Sequence, residues 1–324
     1  MGTATAARTA QAPKRLGKQT IQFQSPAVII ATGTVVGPKE GQGPLGDRFD
    51  HVMPDEILGQ KCFEKAEQIM LQNACYTALN KAGLAPEDMD YMLSGDLLNQ
   101  ITTSSFSALA VGVPLFGLYG ACATSTEALT LGSVLVDGGF AEHVLVGTAS
   151  HNRTAERQYR YPNEYGFQRK THAQWTATAA GAAILARRGD GVRITHATTG
   201  KVVDRGIKDP YHVGAAMAPA AASTILTHFS DTGRGPEDYD LIATGDLALY
   251  GHRLLLELAE QEVGAGASGA GCSAAVTFGS ILKDMEQGKL RRVLIAATGA
   301  LHNPISFQQG EFIPAICHAV ALEV

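Results

Sequence analysis

Charge is scarce in this sequence. Only 18% of its 324 residues are Asp, Glu, Lys or Arg, and the formal net charge is −5. A chain without a basic excess does not offer the broad positive surface that nucleic acid requires. Long apolar runs are missing too: no stretch reaches the roughly 18 residues of a membrane-spanning helix. The five cysteines, Cys62, Cys75, Cys122, Cys272 and Cys317, form no Cys-x-x-Cys pair. Their odd number and wide spacing argue against a disulfide framework or a zinc site and point to a reducing compartment. Aromatics make up 6%, with a single Trp. What the chain does hold is 45% hydrophobic residues and 36 glycines, too apolar for disorder and long enough for two domains or one large fold. Residues 1–17 are small and polar with Arg8, Lys14 and Arg15 and no apolar core. They are not a secretory signal, and we expect a disordered leader.

The chain repeats itself. Residues 86–97, Pro-Glu-Asp-Met-Asp-Tyr-Met-Leu-Ser-Gly-Asp-Leu, match residues 236–247, Pro-Glu-Asp-Tyr-Asp-Leu-Ile-Ala-Thr-Gly-Asp-Leu, at seven of twelve positions. In the same order, Cys122–Ser150 parallels Cys272–Gly299, and Ile30–Val36 more weakly parallels His196–Val203. Ordered matches of this kind mark an internal duplication. We expect two related halves, 18–188 and 189–324. Periodicity predicts strands at 28–36, 91–94, 114–119 and 144–149, with helices at 62–81, 102–112 and 124–136. In the second half it predicts strands at 192–203, 240–244, 292–297 and 312–322, with helices at 215–229, 253–261 and 273–286. Alternation of this kind implies an α/β fold of βαβ units with a largely parallel sheet. The stretch 150–175 fits neither period and is rich in Arg, Tyr, Asn and Gln, as a functional excursion would be.

Two fused halves with a cysteine between a strand and a helix resemble the thiolase fold, with its layered sheets and helices. Gly120-Ala121-Cys122-Ala123-Thr124-Ser125 is similar to the nucleophile motif of condensing enzymes. A closer resemblance is to the stage V sporulation protein AD family. It is carried by Gly37-Pro38-Lys39-Glu40-Gly41, by Gly95-Asp96-Leu97-Leu98-Asn99-Gln100, by Ser150-His151-Asn152 and by Thr154-Ala155-Glu156-Arg157-Gln158 with Arg160-Tyr161-Pro162. Ala216-Met217-Ala218-Pro219-Ala220-Ala221-Ala222 belongs to the same set. The resemblance implies a non-catalytic protein of spore formers that binds dipicolinic acid and acts with other stage V sporulation A membrane proteins to load it into the spore. It implies a forespore location, peripheral to the inner spore membrane through those partners. No cofactor is expected beyond calcium accompanying the ligand. The sequence departs from the family at 250–272, a compact connection where relatives have a longer segment.

The candidate residues follow. Cys122 opens a helix, where N–H groups and the dipole favour a thiolate and can hold an oxyanion or carboxylate; the plainer reading is a buried, inert side chain. Thr124 lies beside it, and Cys272 is its repeat partner. A condensing acyltransferase, the alternative reading, needs a His or Asn base within reach. The Gly/Ala loop 264–271 supplies neither, and His252 and His302-Asn303 match no enzyme spacing. Asp96 and Asp246 follow strands in Gly-Asp-Leu motifs, where open α/β folds bind ligands. Asp96, with Asn99 beside it, is either a calcium or ligand contact or a helix cap. Asp246 has apolar neighbours and reads better as a cap. His151 and Asn152 leave a strand directly and are expected in the pocket. Between His151 and His172 five basic residues, Arg157 and Arg160 among them, face two acidic ones, a balance suited to a dicarboxylate. Tyr159, Tyr161, Tyr165 and Trp175 are expected to stack on a pyridine ring or to pack an interface. A third reading is a docking subunit with an empty pocket. A homodimer is expected through Pro114–Tyr119, an apolar run that would be a hazardous free edge.

Overall fold

A computed structural model describes residues 14–98, 100–159, 175–259, 264–265 and 268–324. Five main strands build the first half, with the short Arg15–Leu16 and His51–Val52 paired to the first of them: β1 (Thr20–Val36), β2 (Tyr91–Asp96), β3 (Leu115–Gly117), β4 (His143–Ser150) and β5 (Ala179–Ala186). Five build the second: β6 (Val192–Thr198), β7 (Leu241–Thr244), β8 (Gly264–Ala265), β9 (Arg292–Ala300) and β10 (Ala315–Glu323). Their order is β3-β2-β4-β5-β1 followed by β6-β10-β9-β7-β8, so the two halves read alike outward from the β1–β6 junction. The sheet is mixed. β2, β3 and β4 run parallel, as do β7, β8 and β9, but β5 and β10 run antiparallel to their neighbours. The expected largely parallel sheet is corrected there: each half closes with one strand that returns directly instead of crossing over.

Helices α1 (Phe63–Ala82) and α2 (Thr102–Val111) cover the outer face of the first half, and α5 (Val213–Thr232) and α6 (Ala248–Ala259) that of the second. Between the half-sheets lie α3 (Thr124–Asp137) and α7, which starts as Ala270–Val276 and continues through a π-turn, Thr277–Ile281, into Leu282–Glu286. The result is five layers around three main apolar cores and a smaller fourth. The central core joins Leu129 and Val136 of α3 and Phe278 and Met285 of α7 to Val146, Ile194 and Ile295. Helix α1 shows how spacing makes such a layer. Ala66, Met70, Ala74 and Ala78 recur every four residues, bury one face, and the helix stops at Gly83 with φ 66°, where glycine carries no Cβ penalty.

The repeated motif explains itself in three dimensions. Asp88 and Asp238 cap matching turns by accepting from the Ala85 and Gly235 N–H groups. Asp90 and Asp240 each accept two N–H bonds from the entry to β4 and β9. These carboxylates hold the two halves to one architecture. Some boundaries differ from expectation. Arg15–Leu16 pairs with Thr20 and Ile21, so the end of the expected leader is a hairpin. The excursion at 150–175 begins as a helix, α4 (Asn152–Tyr159).

Candidate functional site

Cys122 sits in a 3-10 turn, Ala121–Ala123, that opens α3. Ala121 is left-handed, φ 49°, a placement that costs a non-glycine residue about 1–3 kcal/mol. Thr124 braces the turn: its hydroxyl donates to the Ala121 carbonyl at 2.7 Å and accepts from the Gly120 N–H at 3.0 Å. Gly299 of β9 passes so close that a Cβ there would lie 2.0 Å from the Gly120 carbonyl oxygen. Ser125 donates to Ser273 at 3.0 Å, so the starts of α3 and α7 meet at the duplication's centre. Cys272 lies on that second helix start. It lines a separate small cavity with Gly245, Ser273 and Ile295.

A cavity of about 50 Å³ opens at Cys122, with Leu97, Thr176, Met217, Ser268 and His302 in its wall. The thiol does not behave as the helix start alone would make it. Burial pushes it well above its ordinary value and Asp246 pushes the same way; the Gly269 N–H and Ser268 hydroxyl offset this only in part. Asp246 is fully buried with φ 72° and accepts from Gly269 N–H. Its carboxyl is also held well above the usual range, first by burial. The Cys122 thiol therefore keeps its proton at neutral pH, and burial shifts the Asp246 carboxyl in the same sense, because a charge there is costly to bury. Of the two readings of Cys122, this environment favours the buried thiol over the activated thiolate.

The two Gly-Asp-Leu motifs have parted ways. Asp96 directs both oxygens at the start of α2, accepting from Thr103 N–H at 2.8 Å, Ser104 N–H at 2.7 Å and the Ser104 hydroxyl. It acts as the cap, while Asp246 turns inward to Cys122. Asp96 borders a cavity of about 220 Å³ with Glu64, Glu67 and Gln100, apart from that of Cys122. Among the described residues no group of three His, Cys, Asp or Glu side chains gathers as metal ligands would. Glu67 was not legible as special: it is wholly buried, accepts from the Thr154 hydroxyl at 2.9 Å, and burial lifts its carboxyl to about 8, with Asp96 adding to the rise.

His151 and Asn152 stand behind the cavity wall. His151 Nε2 bonds the Glu56 carbonyl at 2.8 Å, its ring lies 5.2 Å from Phe63, and burial holds its pKa down. Asn152 donates to the Thr176 carbonyl at 3.0 Å, positioning a residue that does face Cys122. Arg157 pairs with Glu64, and Arg153 with Glu56 at 3.0 Å. Asn99, Arg160, Tyr161 and Tyr165 lie outside the described residues, as does the side chain of Tyr159. Trp175 carries the Lys39 ammonium over its ring, tying the end of the excursion to the Gly37–Gly41 motif. His302 lines the cavity, whereas Asn303 caps the short helix Pro304–Gln308. Met217 and Val213 reach the cavity from α5; Met217 falls within the Ala216–Ala222 motif, whereas no sequence signal marked Val213.

Comparison with known proteins agrees with this architecture. Solved structures share it at low identity. The 3-oxoacyl-[acyl-carrier-protein] synthase III of Aquifex aeolicus is 16% identical with a TM-score of 0.63, over 92% of this chain and all of that one. The corresponding synthase of Xanthomonas oryzae is 14% identical with a TM-score of 0.61, over 94% of this chain and all of that one. At such identity the likeness concerns the fold. Sequence comparison goes further. The stage V sporulation protein AD family matches residues 17–262 and 254–323, two segments that meet at the compact connection. Stage V sporulation protein AD of Bacillus subtilis (strain 168) is 45% identical over 331 residues, covering 96% of this chain and 98% of its own length. With the duplication, the buried Cys122 turn and both matches in place, the chain belongs to the stage V sporulation protein AD family and has a thiolase-like fold.

Proposed function

We propose that this sporulation protein binds dipicolinic acid, pyridine-2,6-dicarboxylate, free or with calcium, in the Cys122 cavity, and does not catalyse acyl transfer. Family membership supplies the ligand class. The single observation that carries the non-catalytic part is the company Cys122 keeps. Its thiol is set by burial, Asp246, Gly269 and Ser268, so it stays a thiol where a condensing enzyme needs a thiolate. The same chemistry suits an acid ligand. Burial raises the Asp246 carboxyl well above the usual range, which lessens its repulsion of an anion. Ser268, Thr176 and His302 supply further polar groups in the wall.

The wider role is uptake into the developing spore together with other stage V sporulation A membrane proteins, at the inner spore membrane of the forespore. Among the described residues no helix is long and apolar enough to cross a membrane, which is why the reading assigns membrane attachment to partners. We further propose that two copies pair along β3. Titration calorimetry of dipicolinate into the protein, with and without calcium, tests the binding. Saturable heat in the wild type, lost in Cys122→Leu, is the expected result. No saturable heat under either condition defeats the reading. A mass gain on Cys122 after incubation with acyl-CoA donors restores the acyltransferase alternative.

A further inference from the structure

A second concave site lies at the far end of α3, where no motif of the family falls. Cys122 marks the start of that helix, and the groove meets its end at Val134, Asp137 and Gly138. At 1.5 Å per residue a 14-residue helix keeps the two places about 20 Å apart. The groove has a volume of about 660 Å³. One wall is the hairpin from Lys14 to Phe23, and the other is the exit of β6, Thr199 to Lys201.

Its chemistry is two-sided. Four cations line it, Lys14, Arg15, Lys18 and Lys201, against one lining carboxylate, Asp137. That carboxylate is used internally: it pairs with Lys14 at 2.8 Å and accepts from the Gln24 and Ser25 N–H groups. Nearby Asp231 is likewise engaged, by the Gln19 N–H and the Thr20 hydroxyl. Lys18 and Lys201 are exposed and enter no ion pair among the described residues. Between the cations lies apolar surface: Phe140 is 70% exposed, Val134 is also exposed, and Ile21 is half-buried. Apolar residues gathered in a cationic trough, and not scattered singly, fit an interaction surface.

We propose that this groove docks an acidic segment of a partner protein, one that sets carboxylates against Lys18, Lys201 and Arg15 and an aromatic or aliphatic side chain against Phe140. Charge complementarity selects that occupant. The chain's own start does not suit it, since residues 1–13 carry Arg8 and no acidic residue. Basic residues beside exposed apolar ones also suit an anionic bilayer, and the vesicle arm of the test separates that occupant from the peptide. This surface stands apart from the Cys122 cavity, so its test does not depend on dipicolinate.

Panning a random twelve-residue peptide library on the full-length protein, with counter-selection on Lys18→Glu/Lys201→Glu, provides that test. The expected peptides are acidic and carry at least one aromatic or large aliphatic residue. By fluorescence anisotropy they bind the wild type in a salt-sensitive manner, at least tenfold more weakly to the charge-reversed variant and to Phe140→Ser. The substituted residues are exposed, so circular dichroism should stay unchanged. Enrichment of neutral or basic peptides, no enrichment at all, or equal affinity for the variants overturns the proposal. Phosphatidylglycerol vesicles that sediment the wild type but not the charge-reversed protein, with no acidic peptide enriched, reassign the surface to lipid.

Discussion

At the scale of single residues, burial decides what each candidate does. Cys122 and Asp246 have different roles in a simple reading, nucleophile and cap, yet both are shifted toward the uncharged form because each loses its water. The consequence is measurable in the pH profile of alkylation. Steric access scales the rate at every pH equally, whereas the thiolate fraction shapes the curve. Iodoacetamide modification of Cys122, followed by peptide mass mapping, should still be rising about tenfold per pH unit near pH 9. A plateau below that pH would mean that the helix start wins and the thiol is activated. Asp96 shows the other outcome: three donors at the start of α2 turn a candidate ligand contact into a cap. Spacing alone does not separate the two Gly-Asp-Leu copies, because the partner that distinguishes them, Gly269, is 23 residues away in one half and lacks a counterpart in the other.

Among the described elements, β3 is an apolar edge. It pairs with β2 alone and ends the strand order. Phe116 on it is 49% exposed, and Phe106 and Leu109 of the adjoining α2 are exposed as well. An apolar strand edge beside an apolar helix face is a place where a second copy of the same chain removes both liabilities at once. Light scattering at micromolar concentration should give twice the monomer mass for the wild type and the monomer mass for Phe116→Glu. A monomeric wild type would contradict the proposed pairing. The same element-scale logic accounts for the sequence pattern of α1 and α3: each alternates small and large apolar residues because a sheet packs on it closely. Gly271 at the start of α7 is the extreme case, since a Cβ there would lie 1.8 Å from the Ala179 carbonyl oxygen.

Across the whole molecule, three buried histidines sit on the second half-sheet and its covering helix. His196 and His318 are held down to about 4 and His228 to about 3, in each case first by burial. His228 bonds Thr198 at 2.8 Å and Tyr239, tying β6 to α5. Because these rings are neutral in the fold but titrate near 6.5 when unfolded, the unfolded chain binds more protons below that pH. Their contribution to stability is therefore present above about 6.5 and lost as pH falls toward 4, by at most about 1.4 kcal/mol per pH unit for each ring. Glu67, raised to about 8, works in the opposite direction over pH 8 to 4.5, so the histidine effect is best isolated by difference. The drop in melting temperature between pH 7 and pH 5 should be smaller in His196→Gln/His318→Gln than in the wild type. An equal drop would show that those rings are not neutral in the fold.

The sequence by itself determined the class of fold, the duplication, the family and most helix and strand cores, because these depend on local periodicity and on motifs that survive in order along the chain. The Pro-Glu-Asp-x-Asp repeat was visible for the same reason: its hydrogen bonds clamp equivalent turns in both halves. Only the tertiary structure decided which strands turn antiparallel, that α3 and α7 meet at Ser125 and Ser273, and that Asp246 rather than Asp96 comes to Cys122. It also placed His151 and Asn152 behind the wall and brought Thr176, Met217, Ser268 and Glu67 into view. These are matters of burial and of partners distant in sequence, and the charge a side chain carries depends on the water that folding removes from it.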